Sequence, residues 1–278
     1  MTTDASTEPP RTASRIGHPL IVASVAGSTL GIVIAQFLDD LGDGILAIIL
    51  GGEAVVYNNR IEFTGAGDLA WGGGFVLCLL IGLFALFIYP TQRGQSVSRL
   101  VLLWTLLHVL RQALTQAILL PFSDSSQLAL AYDTFEAPPG LDLVIAAGGG
   151  VGLLLIALSA AAAFLAYTPH RTQVSTPRKR LMFALWIALV PAVVSVFLAI
   201  PFFLPDTEGL VLPGLPLVAV MFLATLAAAP GTTTVAGPDD ERATPWPWGL
   251  IAFLLVLLVV YLGVLQGGVS LDPRQWGP

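Results

Sequence analysis

Charge is what this 278-residue sequence has least of: only 11% of its residues are Asp, Glu, Lys or Arg, while 55% are hydrophobic. A water-soluble core cannot absorb that proportion of apolar side chain, and the mean hydropathy of +0.83 makes the bilayer the expected solvent. Cysteine is nearly absent. The single Cys78 lies inside an apolar run, which excludes a disulfide framework and a Cys-based zinc site. Lysine is nearly absent too: of twelve basic residues, Lys179 is the only lysine. Eighteen acids outweigh the basic residues for a net charge of −6, which excludes nucleic acid as an expected partner. Such a lysine-poor, acidic composition is what a high-salt, GC-rich organism such as a halophilic archaeon would produce.

What remains is long apolar runs. About twenty apolar residues cross ~30 Å of hydrocarbon, and seven stretches meet or approach that length: 19–37, 69–89, 100–120, 141–167, 181–204, 212–229 and 248–265. The expected fold is therefore an all-α polytopic membrane protein of about seven transmembrane helices. The polar residues 1–18 read as a disordered tail before a retained first helix, and 267–278 as a second tail. Between them lie a membrane core over 19–167, a basic loop over 168–180 and three further helices over 181–266. Pro191 and Pro201 should kink the fifth helix or end it early. Gly148, Gly149, Gly150 and Gly152 give the fourth a small-residue face for close packing. Between the first two helices, Ala54–Tyr57, Asn58-Asn59 and Arg60–Phe63 read as a β-hairpin whose turn asparagines take positive φ.

Basic residues are retained on the cytoplasmic side of membranes. With the N-terminus inside, Arg11, Arg15, Arg93, Arg99, Arg171, Arg178, Lys179, Arg180 and Arg242 are all inside, whereas only Arg60 and Arg274 are outside. The expected location is thus a cell membrane, multi-pass, with a cytoplasmic N-terminus and the lipid bilayer as the constant partner.

Ionisable groups within a span are costly and are candidates for function. On the third helix Thr105, His108, Gln112 and Gln116, with Arg111 and Thr115 alongside, form one polar stripe that must face the bundle interior. It is either an interhelical hydrogen-bond seam or a path for substrate or protons, since His titrates near neutral pH. The second cluster, Asp39-Asp40-Leu41-Gly42-Asp43, closes the first apolar run, and in a helix Asp39 and Asp43 share a face at metal-ligand spacing.

The segment Asp39 to Gly52, DDLGDGILAIILGG, resembles the zinc helix of the site-2 protease family of intramembrane metalloproteases, roughly H-E-x-G-H followed by an apolar turn and Gly-Gly. A hairpin and a glycine-led second helix follow in the family's order. The segment from Gln116 through Pro121 to Asp124 and Ser125 is similar to the family's N-x-x-P-x-P-x-L-D-G motif. The resemblance implies a three-helix core in which Asp39, Asp43 and Asp124 occupy metal-ligand positions and Asp40 that of the catalytic acid/base. Because both histidines and the glutamate are replaced by Asp, it implies a hard divalent cation rather than zinc. The leading expectation is a non-proteolytic protein with a degenerate core that binds a membrane partner or a cation. The alternatives are a small transporter or channel subunit using the third-helix stripe, and an active hydrolase with an all-carboxylate site.

Overall fold

The computed structural model describes residues 16–92, 94–124, 126–135, 137–204, 215–233 and 244–272. The expected tail over 1–18 falls mostly outside them, as do Arg11, Arg15, Arg93, Arg242 and Arg274.

The first helix, α1 (His18–Ile49), is 32 residues long, or ~48 Å, far beyond the run that predicted it. It does not end at the aspartates. It continues because nothing in Asp39–Asp43 breaks a helix, and it stops at Gly51, whose φ of +89° favours glycine. There Gly52 N–H bonds to Ala47 O and Gly51 N–H to Ile48 O, the paired bonds of a Schellman stop. Two strands follow, β1 (Glu53–Val56) and β2 (Ile61–Thr64), antiparallel with Val56 opposite Ile61. Ala54, Val56 and Ile61 point inward onto α1 beside Ala47, the period of two expected of a half-buried pair.

The hairpin is as expected but its turn is not, because no non-glycine residue among those described has positive φ. Asn58 is held differently: its Nδ2 donates to Phe202 O at 3.1 Å and Leu204 O at 2.6 Å, tying the turn to the far end of the fifth long helix.

After a 3-10 turn (Asp68–Gly72) come α2 (Gly73–Ile88) and α3 (Val97–Leu119), which is capped by Ser96. A short helix, α4 (Gln127–Asp133), precedes α5 (Leu141–Leu165). The glycine face of α5 is used in part: Gly149 packs against Ala117 and Leu114 of α3 and Gly152 against Leu114, while Gly148 and Gly150 face open space.

The fifth long helix comprises α6 (Pro177–Ala184), a π turn (Leu185–Leu189), α7 (Val190–Ala199) and a terminal 3-10 turn (Ile200–Phe203). Pro191 falls two residues after the π turn and Pro201 within the 3-10 ending. Pro191 has no N–H for the carbonyl four residues back. That carbonyl, Ile187 O, instead accepts from Ser24 Oγ of α1 at 2.6 Å. The chain then runs through α8 (Leu215–Ala228) and α9 (Trp248–Gly263).

Six helices are long and apolar enough to span a bilayer among the described residues, and α8 is a shorter apolar helix. Contacts mark two faces of the bundle. On the first face, Gln95 Nε2 donates to Ala166 O, and Arg180 Nη1 donates to Pro230 O and Thr232 O beyond α8. On the opposite face a third strand, β3 (Val269–Ser270), follows α9 and pairs antiparallel with β1. Residues 269 and 270, expected within a tail, thus belong to a sheet of order β2-β1-β3.

Candidate functional site

The core of the bundle is the seam between α1 and α3. On α1, Ser24, Gly27, Ser28, Gly31, Ala35, Asp39 and Gly42 recur every three or four residues and so occupy one face. Small residues let the helices approach, and the polar ones meet the stripe on α3.

At one end, Trp104 is fully buried; its Nε1–H donates to Ser24 Oγ at 2.8 Å and its ring stacks on His108 with centroids 5.6 Å apart. His108 Nε2 lies 3.0 Å from Ser28 Oγ, which lies 2.7 Å from Ser195 Oγ of α7. Ser195 donates its own proton to Ala192 O at 2.9 Å. Its oxygen is therefore the acceptor for Ser28, whose hydroxyl must in turn accept from His108, making Nε2 the protonated nitrogen. Nδ1 is left as a bare lone pair, buried and without a partner.

At the other end, Asp39, Asp40 and Asp43 are 1%, 4% and 0% exposed. Asp39 accepts from Gln112 Nε2 at 2.9 Å on one oxygen and from Gln116 Nε2 at 2.7 Å on the other. Asp40 accepts from Gln36 Nε2 at 3.3 Å, one turn back on α1. Asp43 accepts the Gly74 N–H of α2 at 2.6 Å, and its second oxygen has no partner. Only glycine fits at the start of α2: a Cβ on Gly74 would lie 2.5 Å from both Asp39 O and Asp39 Oδ1, and one on Gly42 would lie 2.5 Å from Gly73 O. Gln116 also reaches Gln127 of α4 at 3.4 Å. Between the two ends Arg111 donates to Gln112 Oε1 at 3.2 Å and acts electrostatically on both Asp39 and His108.

The two clusters that the sequence offers separately are therefore one network: His108 and Gln116 are buried and Gln112 half-buried against α1, and the glutamines grip Asp39. Asp124 stands apart, exposed in the turn after α3. Among the described residues no group of three or more His, Cys, Asp or Glu side chains is disposed to hold a metal ion. The expected ligand set of Asp39, Asp43 and Asp124 is not assembled, because α1 carries its aspartates into the bundle whereas Asp124 follows the end of α3. Both Asp39 oxygens and one Asp43 oxygen accept from N–H donors on α3 and α2, while the other Asp43 oxygen has no partner.

Ser24, Ser28, Gln36, Trp104, Gln127 and Ser195 join the site without having stood out among the candidates in the sequence. The spacing Ser24-x-x-Gly27-Ser28-x-x-Gly31 marks the first two; Ser195 carries no comparable signal. No family model, curated protein or solved structure matches the chain. Fold and apolar helices together define a multi-pass membrane protein.

Proposed function

We propose that the chain is a non-proteolytic membrane protein of the proton-coupled transporter class, built on a site-2-protease-like core of α1, the hairpin, α2 and α3. The Asp39–Asp40–Asp43 cluster is its proton-binding site. One observation carries this reading: three carboxylates within five residues are almost completely buried, and Arg111 is the cation acting on the cluster. If all three were ionised, two negative charges would remain uncompensated. Each pair of like charges at one-turn separation, ~6 Å, costs about 3 kcal/mol at an effective dielectric of 20, and an unpaired buried charge costs several more. Protons remove that cost without displacing the amide donors.

Infrared difference spectroscopy of the purified protein tests this. A protonated carboxyl band should be present at neutral pH and should shrink in Asp40→Asn and Asp43→Asn. Fully ionised carboxylates would overturn the proton site, and cleavage of single-span substrates with stoichiometric zinc would overturn the non-proteolytic reading. Orientation belongs to the same proposal. The basic residues Arg99, Arg171, Arg178, Lys179 and Arg180 support a cytoplasmic face opposite the hairpin and hence a cytoplasmic N-terminus.

A further inference from the structure

The acid cluster occupies one end of the α1–α3 seam, and nothing in it requires a histidine at the other. From Ser24 to Asp43 α1 covers twenty residues, ~28 Å at a rise of 1.5 Å from each residue to the next, close to the ~30 Å of bilayer hydrocarbon. Polar groups of the seam thus stand near both ends of the membrane thickness, with titratable groups at two levels, and Arg111 lies between them beside an apolar cluster of Ala35, Cys78, Val109 and Ala113.

His108 is built as more than a packed ring. Ser28 and Ser195 fix its Nε2 as the donor, and the serine chain ends on the Ala192 carbonyl, which cannot take a proton. The ring can therefore gain and lose a proton only at Nδ1, which is buried and unpartnered. Trp104 stacked on the ring and Phe222 of α8, 6.4 Å away, are uncharged, as are Ser28 from α1 and Ser195 from α7. The charged group acting on His108 is Arg111, which also acts on Asp39.

We propose that the α1–α3 seam is a transmembrane proton pathway with two stations in series, His108 Nδ1 and the Asp39 cluster, linked through Arg111. This rests on the proton-site reading of the cluster and adds the second station and the route. An ionised Asp39 neutralises Arg111 and allows a proton onto His108. A protonated His108 in turn repels Arg111 toward Asp39. Transfer therefore moves one proton at a time: it leaves Nδ1, crosses the step beside Arg111 and Gln112 on water, and binds an Asp39-cluster oxygen, restoring neutral His108. Ser28 and Ser195 are positioning residues that hold the tautomer.

The test is proton uptake into liposomes containing the full chain and an internal pH dye, driven by a potassium diffusion potential. The unmodified protein should acidify the lumen faster than protein-free vesicles. His108→Gln and Asp39→Asn should each slow uptake roughly tenfold or more, in line with loss of a positioned proton carrier. The double variant should be no slower than either single one, as stations in series require. Ser28→Ala should shift the pH profile of uptake while the ring remains in place, a readout that a purely packing role would not move. Ser159→Ala, on the exposed side of α5, should leave uptake unchanged. Uptake no faster than in protein-free vesicles, or His108→Gln at the unmodified rate, overturns the pathway. A protonated-carboxyl band that persists in that event leaves the proton site standing, whereas loss of the band removes both.

Discussion

Replacing Gly74 by alanine should unseat α2 from the acid cluster. The new Cβ would lie 2.5 Å from the Asp39 carbonyl oxygen and 2.5 Å from its carboxylate. The first is helix backbone and cannot rotate away, so α2 has to move. Overpacking of this kind costs about 1–3 kcal/mol. The movement also stretches the 2.6 Å bond from Gly74 N–H to Asp43, and a hydrogen bond to a neutral carboxyl contributes about 0.5–1.5 kcal/mol. Alanine recovers about 1 kcal/mol of helix propensity, leaving a net loss of roughly 0.5–3.5 kcal/mol. Gly150→Ala is the matched control, because a Cβ there meets nothing within 4 Å; it should be neutral or stabilising by up to about 1 kcal/mol. Reversible unfolding in mixed detergent micelles, followed by circular dichroism, measures both. If Gly74→Ala unfolds within about 0.5 kcal/mol of the parent, α2 does not rest on Asp39 and Asp43 as described, and the account of the cluster fails with it.

Ser24→Ala strands the Trp104 indole N–H and the Ile187 carbonyl and should cost about 1–3 kcal/mol for each group left unpaired. Adding Pro191→Ala returns an N–H for Ile187 O, so the pair should be less destabilised than the sum of the singles; strict additivity would refute the link between proline and serine. In a Cys78→Ala background, an impermeant thiol reagent should label Thr232→Cys and Gln266→Cys from opposite sides of the membrane, whereas labelling from one side would mean that the chain does not cross between them. Arg60→Ala removes the exposed Arg60–Glu62 pair at 2.8 Å and should shift stability by no more than about 0.5 kcal/mol; a larger loss would show that the pair anchors the hairpin.

Much of this molecule is legible in its sequence, for a physical reason. Hydrocarbon thickness sets the length of a span, so apolar runs mark where helices cross. A stripe such as His108, Gln112 and Gln116 has to turn inward whatever its neighbours are, and Ile61 and Val56 alternate as a half-buried hairpin must. These features depend on local spacing and on solvent. The halting point of α1 is less legible, because an aspartate looks like a helix end in water yet is tolerated inside a bundle that supplies Gln112, Gln116 and the Gly74 N–H.

Sequence alone therefore determined the membrane-spanning helices, the hairpin and the inward face of α3, since each follows from periodicity and the cost of placing polar groups in lipid. Only the tertiary structure decided that Asp39 is gripped by the α3 stripe, that Asp124 stands outside, that Ser195 fixes the His108 tautomer and that β3 returns to the hairpin. Each of these joins residues tens to more than two hundred positions apart, and helix packing, rather than any local pattern, brings them together.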